Sequence, residues 1–161
     1  MTGRDYPTRP LVGIGVVLLR PSDEAMPGAV LLVRRGKPPS MGSWSLPGGA
    51  QELGETAEQA ARRELAEETG LEAGPLVLAA NVDSIHRDET GRVQFHYTIL
   101  DFAAWWQAGE PAAGSDVTDA VFAPLDDLAR FDLWSEAHRV IDLACRLLSS
   151  ASGGMRTFSR S

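Results

Sequence analysis

One stretch of the chain declares its secondary structure at both ends. Thr56 offers a hydroxyl N-cap, Gln59 three residues later completes a capping box, and Gly70 supplies the residue type that closes helices in the left-handed conformation. Between them Ala57, Ala60, Ala61 and Leu65 recur on one face of a 3.6-residue period, so residues 56–69 are predicted to be a helix. The remaining apolar runs, around 13–19 and 29–33, are strand-sized. None approaches the roughly 18 uninterrupted apolar residues of a membrane-spanning helix.

Strands are predicted at 11–19, 29–35, 76–85, 93–104 and 119–123, each bounded by Gly, Pro or clustered polar residues. Residues 44–49 read as a strand end running into a tight loop, 124–128 as a brief helical turn and 134–148 as a second helix. Strands and two helices interleave without regular alternation. The expected fold is therefore α/β, a mixed sheet with helices packed on both faces.

At 161 residues and 43% hydrophobic composition, the chain is long enough for one domain with a real core. Residues 1–9 are expected to be a flexible lead-in, 10–148 the domain and 149–161 a flexible tail. Cys145, the single cysteine, cannot form an internal disulfide, and no apolar signal core follows the start; both favour a cytoplasmic location. Cys145 lies in the apolar stripe of the last helix and is expected to be packing. Trp44, Trp105, Trp106 and Trp134 are expected to be core or interface anchors.

The predicted helix is unusual in its second half. Glu64, Glu67 and Glu68 stand at relative positions i, i+3 and i+4, along the side that carries the apolar stripe. Each like-charged pair costs roughly 3 kcal/mol at about 5 Å and an effective dielectric of about 20, and helix C-termini disfavour anions further. Folding alone does not recommend this pattern. A solvated acidic face is one reading; a site for Mg²⁺, or Mn²⁺ in its place, is the other, since hard cations take carboxylate oxygens and keep room for phosphate. Zinc is disfavoured, because Cys145 stands alone and His86, His96 and His138 lack close spacing. Gly48 and Gly49 permit close backbone approach, so a backbone carbonyl there can reach the same metal. Arg63 is placed to hold Glu67 and to reach back towards Glu55.

Gly49, five residues, Glu55, seven residues, then Arg63-Glu64-Leu65-Ala66-Glu67-Glu68-Thr69-Gly70-Leu71 resembles the Nudix box at every specified position, and the likeness extends to residues 42–49 ahead of it. The resemblance implies the Nudix fold over about residues 10–148 and hydrolysis of a nucleoside diphosphate joined to another group, with Mg²⁺ as cofactor. It implies Glu67 and Glu68 as metal ligands, Glu64 as ligand or base, and Glu55 with Arg63 as the organising pair. Some members place the base on a later loop, where Asp116 is the preferred candidate ahead of Glu110 and Asp119.

Arg34-Arg35-Gly36-Lys37-Pro38-Pro39, followed by the Gly42 to Gly49 segment, is similar to the small ADP-ribose pyrophosphatase branch of that family. Arg34, Arg35 and Arg87 are candidates for phosphate or terminal ribose; Phe95, His96 and Tyr97 alternate along a strand, so one face offers His96 and the other the two aromatics, and either is a candidate for contact with a base. The expected activity is cleavage of ADP-ribose to AMP and ribose 5-phosphate. The alternatives are pyrophosphohydrolysis of nucleoside triphosphates or dinucleotides, and a catalytically silent nucleotide sensor. A net charge of −7 argues against a nucleic-acid polymer as partner, because backbone phosphates demand concentrated positive charge. No membrane partner is expected; a homodimer is expected from the resemblance alone.

Overall fold

The computed structural model describes residues 4–24, 26–38 and 40–158. The described strands are β1 (Leu11–Pro21), β2 (Pro27–Arg35), β3 (Trp44–Ser45), β4 (Gly48–Ala50), β5 (Val77–Arg87), β6 (Val93–Trp105) and β7 (Val117–Pro124). Helix α1 (Ala57–Thr69) lies between β4 and β5, and a 3-10 segment, Leu125–Phe131, leads to α2 (Ser135–Phe158). All seven strands join one sheet in the order β3-β2-β1-β6-β5, with β4 also on β1 and β7 also on β2. The predicted mixed α/β sheet is the one observed.

Strand β1 is the hinge of this sheet. Its far end pairs antiparallel with β2, from Leu19 opposite Val30 to Pro21 opposite Pro27. Its near half leaves β2 and takes β4 along the same edge, with Gly13 opposite Ala50 and Gly15 opposite Gly48. On the other edge β6 runs parallel to it, from Leu11 opposite Tyr97 to Leu19 opposite Trp105. The split between β2 and β4 opens the sheet where the glycine-rich loop enters, and α1 starts directly beyond that loop.

Side chains alternate along β1, so each face has its own core. Ile14, Val16 and Leu18 pack with Ala60, Ala61 and Leu65 under α1. Val17 and Leu19 pack with Val140, Ile141, Ala144 and Leu148 under α2. Trp44 sits edge-on to Phe131 at 5.1 Å in the α2 layer, and Trp105, Trp106 and Cys145 also pack against the cores as expected.

Three features were not legible in the sequence. Within the expected lead-in, Tyr6 is held to the β5–β6 hairpin: its amide donates to the Gln94 carbonyl at 2.8 Å, its hydroxyl donates to Asp88 at 2.8 Å, and the Arg92 guanidinium lies 4.4 Å from its ring centre. A single aromatic ring among polar residues carries no periodic signal, so this tether is invisible in sequence. The second helix does not stop at 148; its backbone continues to Phe158, and the last of the expected tail, 159–161, lies outside the described residues. Trp134 precedes α2 with about half its surface exposed, outside the core, which leaves the interface alternative for that residue.

Candidate active site

Helix α1 forms as its caps require. The Thr56 hydroxyl accepts from the Gln59 amide at 3.1 Å, the Gln59 side chain accepts from the Thr56 amide at 2.8 Å, and Gly70 closes the helix with φ of 72°. Ala60, Ala61, Leu65 and Thr69 are its buried residues. Small side chains at 60 and 61 let the helix lie close to the sheet, and Leu65 anchors the turn between Glu64 and Glu68. Those two glutamates consequently flank the packed stripe and meet β4.

The Glu68 carboxylate accepts from the Gly48 amide at 2.8 Å. At Gly48 a Cβ would overlap the Ile14 carbonyl, and at Gly49 a Cβ would stand 2.5 Å from the Glu64 carboxylate. Only glycine lets the strand pass this close beneath both acids. Glu67 lies on the outer side, its side chain half exposed.

Arg63 ties the acids together. Its guanidinium donates to both Glu55 oxygens at 3.0 and 2.7 Å, to Glu64 at 2.8 Å, to Glu67 at 3.3 Å and to the Ala50 carbonyl at 3.1 Å. The fork geometry of guanidinium fits this many acceptors where an ammonium would not. The Arg63 hydrogen bonds, with the Glu52 amide, hold the Glu55 carboxyl down at about 2, and Glu55 in turn raises the Arg63 pKa.

The two inner acids shift in the opposite direction to Glu55. Burial pushes Glu64 up, partly offset by Arg63, and pushes Glu68 up to about 7, offset by the Gly48 amide and reinforced by the Glu64 charge. Arg35 lowers and Asp116 raises the Glu68 pKa, so both expected residues stand within electrostatic reach of it.

Asp116 arrives on a loop docked against the end of α1. The Ala112 amide donates to the Thr69 carbonyl and the Gly114 amide to the Glu68 carbonyl, each at 3.0 Å, satisfying helix-terminal acceptors. The Asp116 carboxylate pairs with Lys37 at 2.9 Å and its carbonyl accepts from the Gly36 amide at 2.8 Å. Neither this docking nor the Lys37 pair has a local sequence signal.

Other candidates are placed elsewhere. Glu110 faces Arg20 at 3.8 Å, and Asp119 accepts from the amide of Ala120. Arg34 donates to the Gly42 carbonyl at 3.0 Å, folding over the glycine-rich loop. Arg87 ends β5 at the hairpin tip, donates to the Gly91 carbonyl at 3.1 Å and pairs with Val93. Val93 lies six residues along β6 from Ile99, the residue level with Gly13, so Arg87 stands roughly 20 Å from the glutamate cluster. His96 lies between these levels, on the α1 side of β6. Asp101, absent from the sequence candidates, is a buried acid on β6; its signal was one charge inside an apolar strand run.

The donor set suits a hard divalent cation: three carboxylates, with Glu68 raised chiefly by its burial and further by the Glu64 charge. The acids are not gathered into a finished cage. Among the described residues no group of three or more His, Cys, Asp and Glu side chains is arranged to hold a metal. Glu64 and Glu67 turn to Arg63 and Glu68 to Gly48, so cation binding requires these side chains to exchange partners.

A split mixed sheet, a glycine loop and an Arg-organised row of glutamates on one helix define a class of acid-lined site suited to phosphate chemistry. Residues 9–144 match the family model described as the NUDIX domain, and the chain belongs to that family. An ADP-ribose pyrophosphatase of Methanocaldococcus jannaschii is 40% identical over 101 residues, 63% of this chain but 57% of that protein, so the chain spans little more than half its length. A putative 8-oxo-dGTP diphosphatase 2 of Mycobacterium tuberculosis is 36% identical over 127 residues, 76% of this chain and 84% of that one. The NUDIX domain of Shewanella oneidensis NrtR, crystallised with ADP ribose, superposes with a TM-score of 0.72 at 26% identity, covering 88% of this chain and 90% of that domain. No described helix is long and apolar enough to cross a membrane.

Proposed function

We propose that this chain is a Mg²⁺-dependent pyrophosphohydrolase of nucleoside diphosphate derivatives, with ADP-ribose as substrate and AMP and ribose 5-phosphate as products. The observation that carries the reading is the Arg63 guanidinium bound to Glu55, Glu64 and Glu67 beside a Glu68 held by the Gly48 amide. A fold seeking only stability has no use for four acids clustered there. The relatives named for ADP-ribose and 8-oxo-dGTP hydrolysis support the reaction class.

Glu64, Glu67 and Glu68 would hold the cation, with the Gly48 and Gly49 backbone alongside. Bound there, it would offset the charge of the diphosphate and acidify the attacking water. Arg63 and Glu55 position the acids, keeping Glu64 against β4. Water adds to one phosphorus, the bridging P–O bond breaks, and the water's proton passes to Glu64, with Asp116 the second candidate for that role. Arg35, near Glu68, and Arg34, over the glycine loop, supply positive charge to the phosphates. Arg87 at the hairpin tip is too distant to share in this.

The test is a panel assay with Mg²⁺ and product identification. AMP with ribose 5-phosphate from ADP-ribose is the expected result. Monophosphate with pyrophosphate, formed from triphosphates in preference, replaces the substrate assignment. Binding without turnover of any member makes the chain a nucleotide sensor.

A further inference from the structure

Thr69 and Asp101 are the buried polar residues among those described, and they differ in one respect. The Thr69 hydroxyl donates to the Leu65 carbonyl at 2.7 Å; Asp101, only 5% exposed, has no hydrogen-bond donor among the described residues. No fully buried side-chain oxygen or nitrogen among the described residues lacks a partner. The Asp101 oxygens therefore keep slight contact with solvent rather than being wholly enclosed. Arg139, the cation that acts on Asp101 from α2, is already paired with Glu136, and burial still pushes the Asp101 carboxyl up to about 6. Leaving a charged acceptor unmet costs stability, so an acid kept this way invites a donor from a ligand.

An aromatic and an aliphatic side chain share its face of β6. Tyr97, Ile99 and Asp101 alternate onto the α2 side of β6 and lean over the strand beside them. Cβ atoms at Gly13 would press on Ile99 and Tyr97 at 3.2 and 3.4 Å, and one at Gly15 would overlap the Asp101 carboxylate. The glycines of β1 thus let an aromatic, an aliphatic and an acidic side chain lie in one row. Tyr97 and Ile99 remain partly exposed, while Asp101 forms the closed inner end. Asp101 is level with Gly15, and Gly15 with Gly48, the residue that holds Glu68. Two strand spacings, about 10 Å of backbone, separate the acid from the phosphate-handling loop.

We propose that Asp101 accepts a hydrogen bond from the exocyclic amino group of the substrate's purine, with Tyr97 and Ile99 supporting the ring, so that this residue sets base preference. The inference rests on the nucleotide substrate proposed above. It adds the side of the sheet on which the base lies and the group that reads it.

The experiment compares ADP-ribose with its inosine analogue, which lacks the amino group, at pH 8. Wild-type protein is expected to favour ADP-ribose by about 10- to 100-fold in kcat/KM, the worth of a hydrogen bond to a charged acceptor. In Asp101→Leu the ADP-ribose value falls to that of the inosine analogue, which itself changes less than about threefold. Equal use of both substrates by wild type, or an equal loss of both in the variant, overturns the assignment. A variant that does not fold leaves the wild-type comparison to decide. Absence of turnover removes the proposed hydrolysis, and calorimetric binding of the same pair then reads Asp101 by itself: equal affinities, or no binding, overturn its role.

Discussion

Helices α1 and α2 cover opposite faces of one sheet by opposite means. Under α2 the contacts are apolar, with Val140, Ile141, Ala144 and Leu148 closing over Val17, Leu19 and Phe131. Under α1 the apolar stripe is narrow, two alanines and Leu65, and the acids beside it are restrained by Arg63 and by the Gly48 amide. The difference separates two tasks. Burial on the α2 side, Asp101 with its row on β6 apart, holds the sheet together, while the α1 side sets charges in place near the gap between β2 and β4.

Replacing Glu67 and Glu68 together by Gln tests that division most severely. Turnover should fall by about 10²- to 10³-fold or more, with an unchanged far-UV spectrum. Near-normal turnover would mean the acidic side does no chemistry. Ile141→Ala, in the other layer, should instead lower unfolding free energy by about 2–4 kcal/mol in a urea titration. Its activity per folded molecule should match wild type, and a large loss of kcat would blur the two roles. Arg63→Lys keeps a charge but loses the fork. Activity should drop by about 10- to 100-fold with little change in melting temperature, the signature of positioning.

The smallest effect is one of pH. Glu68 titrates at about 7 in the fold against 4.5 in an unfolded chain, so between those values the folded protein binds more protons. Its contribution is fully present below about 4.5 and is lost as pH rises through about 7. In chelator, the melting temperature should decline by roughly 5 °C between pH 5 and 8, and less in Glu68→Gln. Asp101, raised to about 6 on the α2 side, contributes with the same sign and should leave a residual slope in that variant. Glu55 acts in the opposite sense: held at about 2, it supports the fold above about 4.5 and loses that support as pH falls through about 2.

Where a residue's role depends on near neighbours in the chain, the sequence was readable. The Thr56, Gln59 and Gly70 caps, the Ala60, Ala61 and Leu65 stripe and the reach of Arg63 to Glu67 all follow from helix spacing. The strands were legible within a few residues for the same reason, because Gly and Pro punctuate them. Distant pairings were not. Tyr6 bonds Asp88 across 82 residues, and Asp116 reaches Glu68 only because the loop before β7 docks on the end of α1. Arg87, equal to Arg35 as a sequence candidate, is separated from it by the direction of one hairpin.

The chain by itself determined one helix with marked ends, a row of three acids on it and an arginine at the spacing that binds two of them, Glu64 and Glu67, since each is set by 1.5 Å of rise and 100° of turn per residue. The tertiary structure decided which acids are buried and what each one holds, because desolvation and hydrogen bonding come from strands far away in the chain. Glu68 is lifted to about 7 and Glu55 lowered to about 2, although both are glutamates of the same motif. The environment that separates them exists only once β1 has parted from β2 and admitted the glycines of β4.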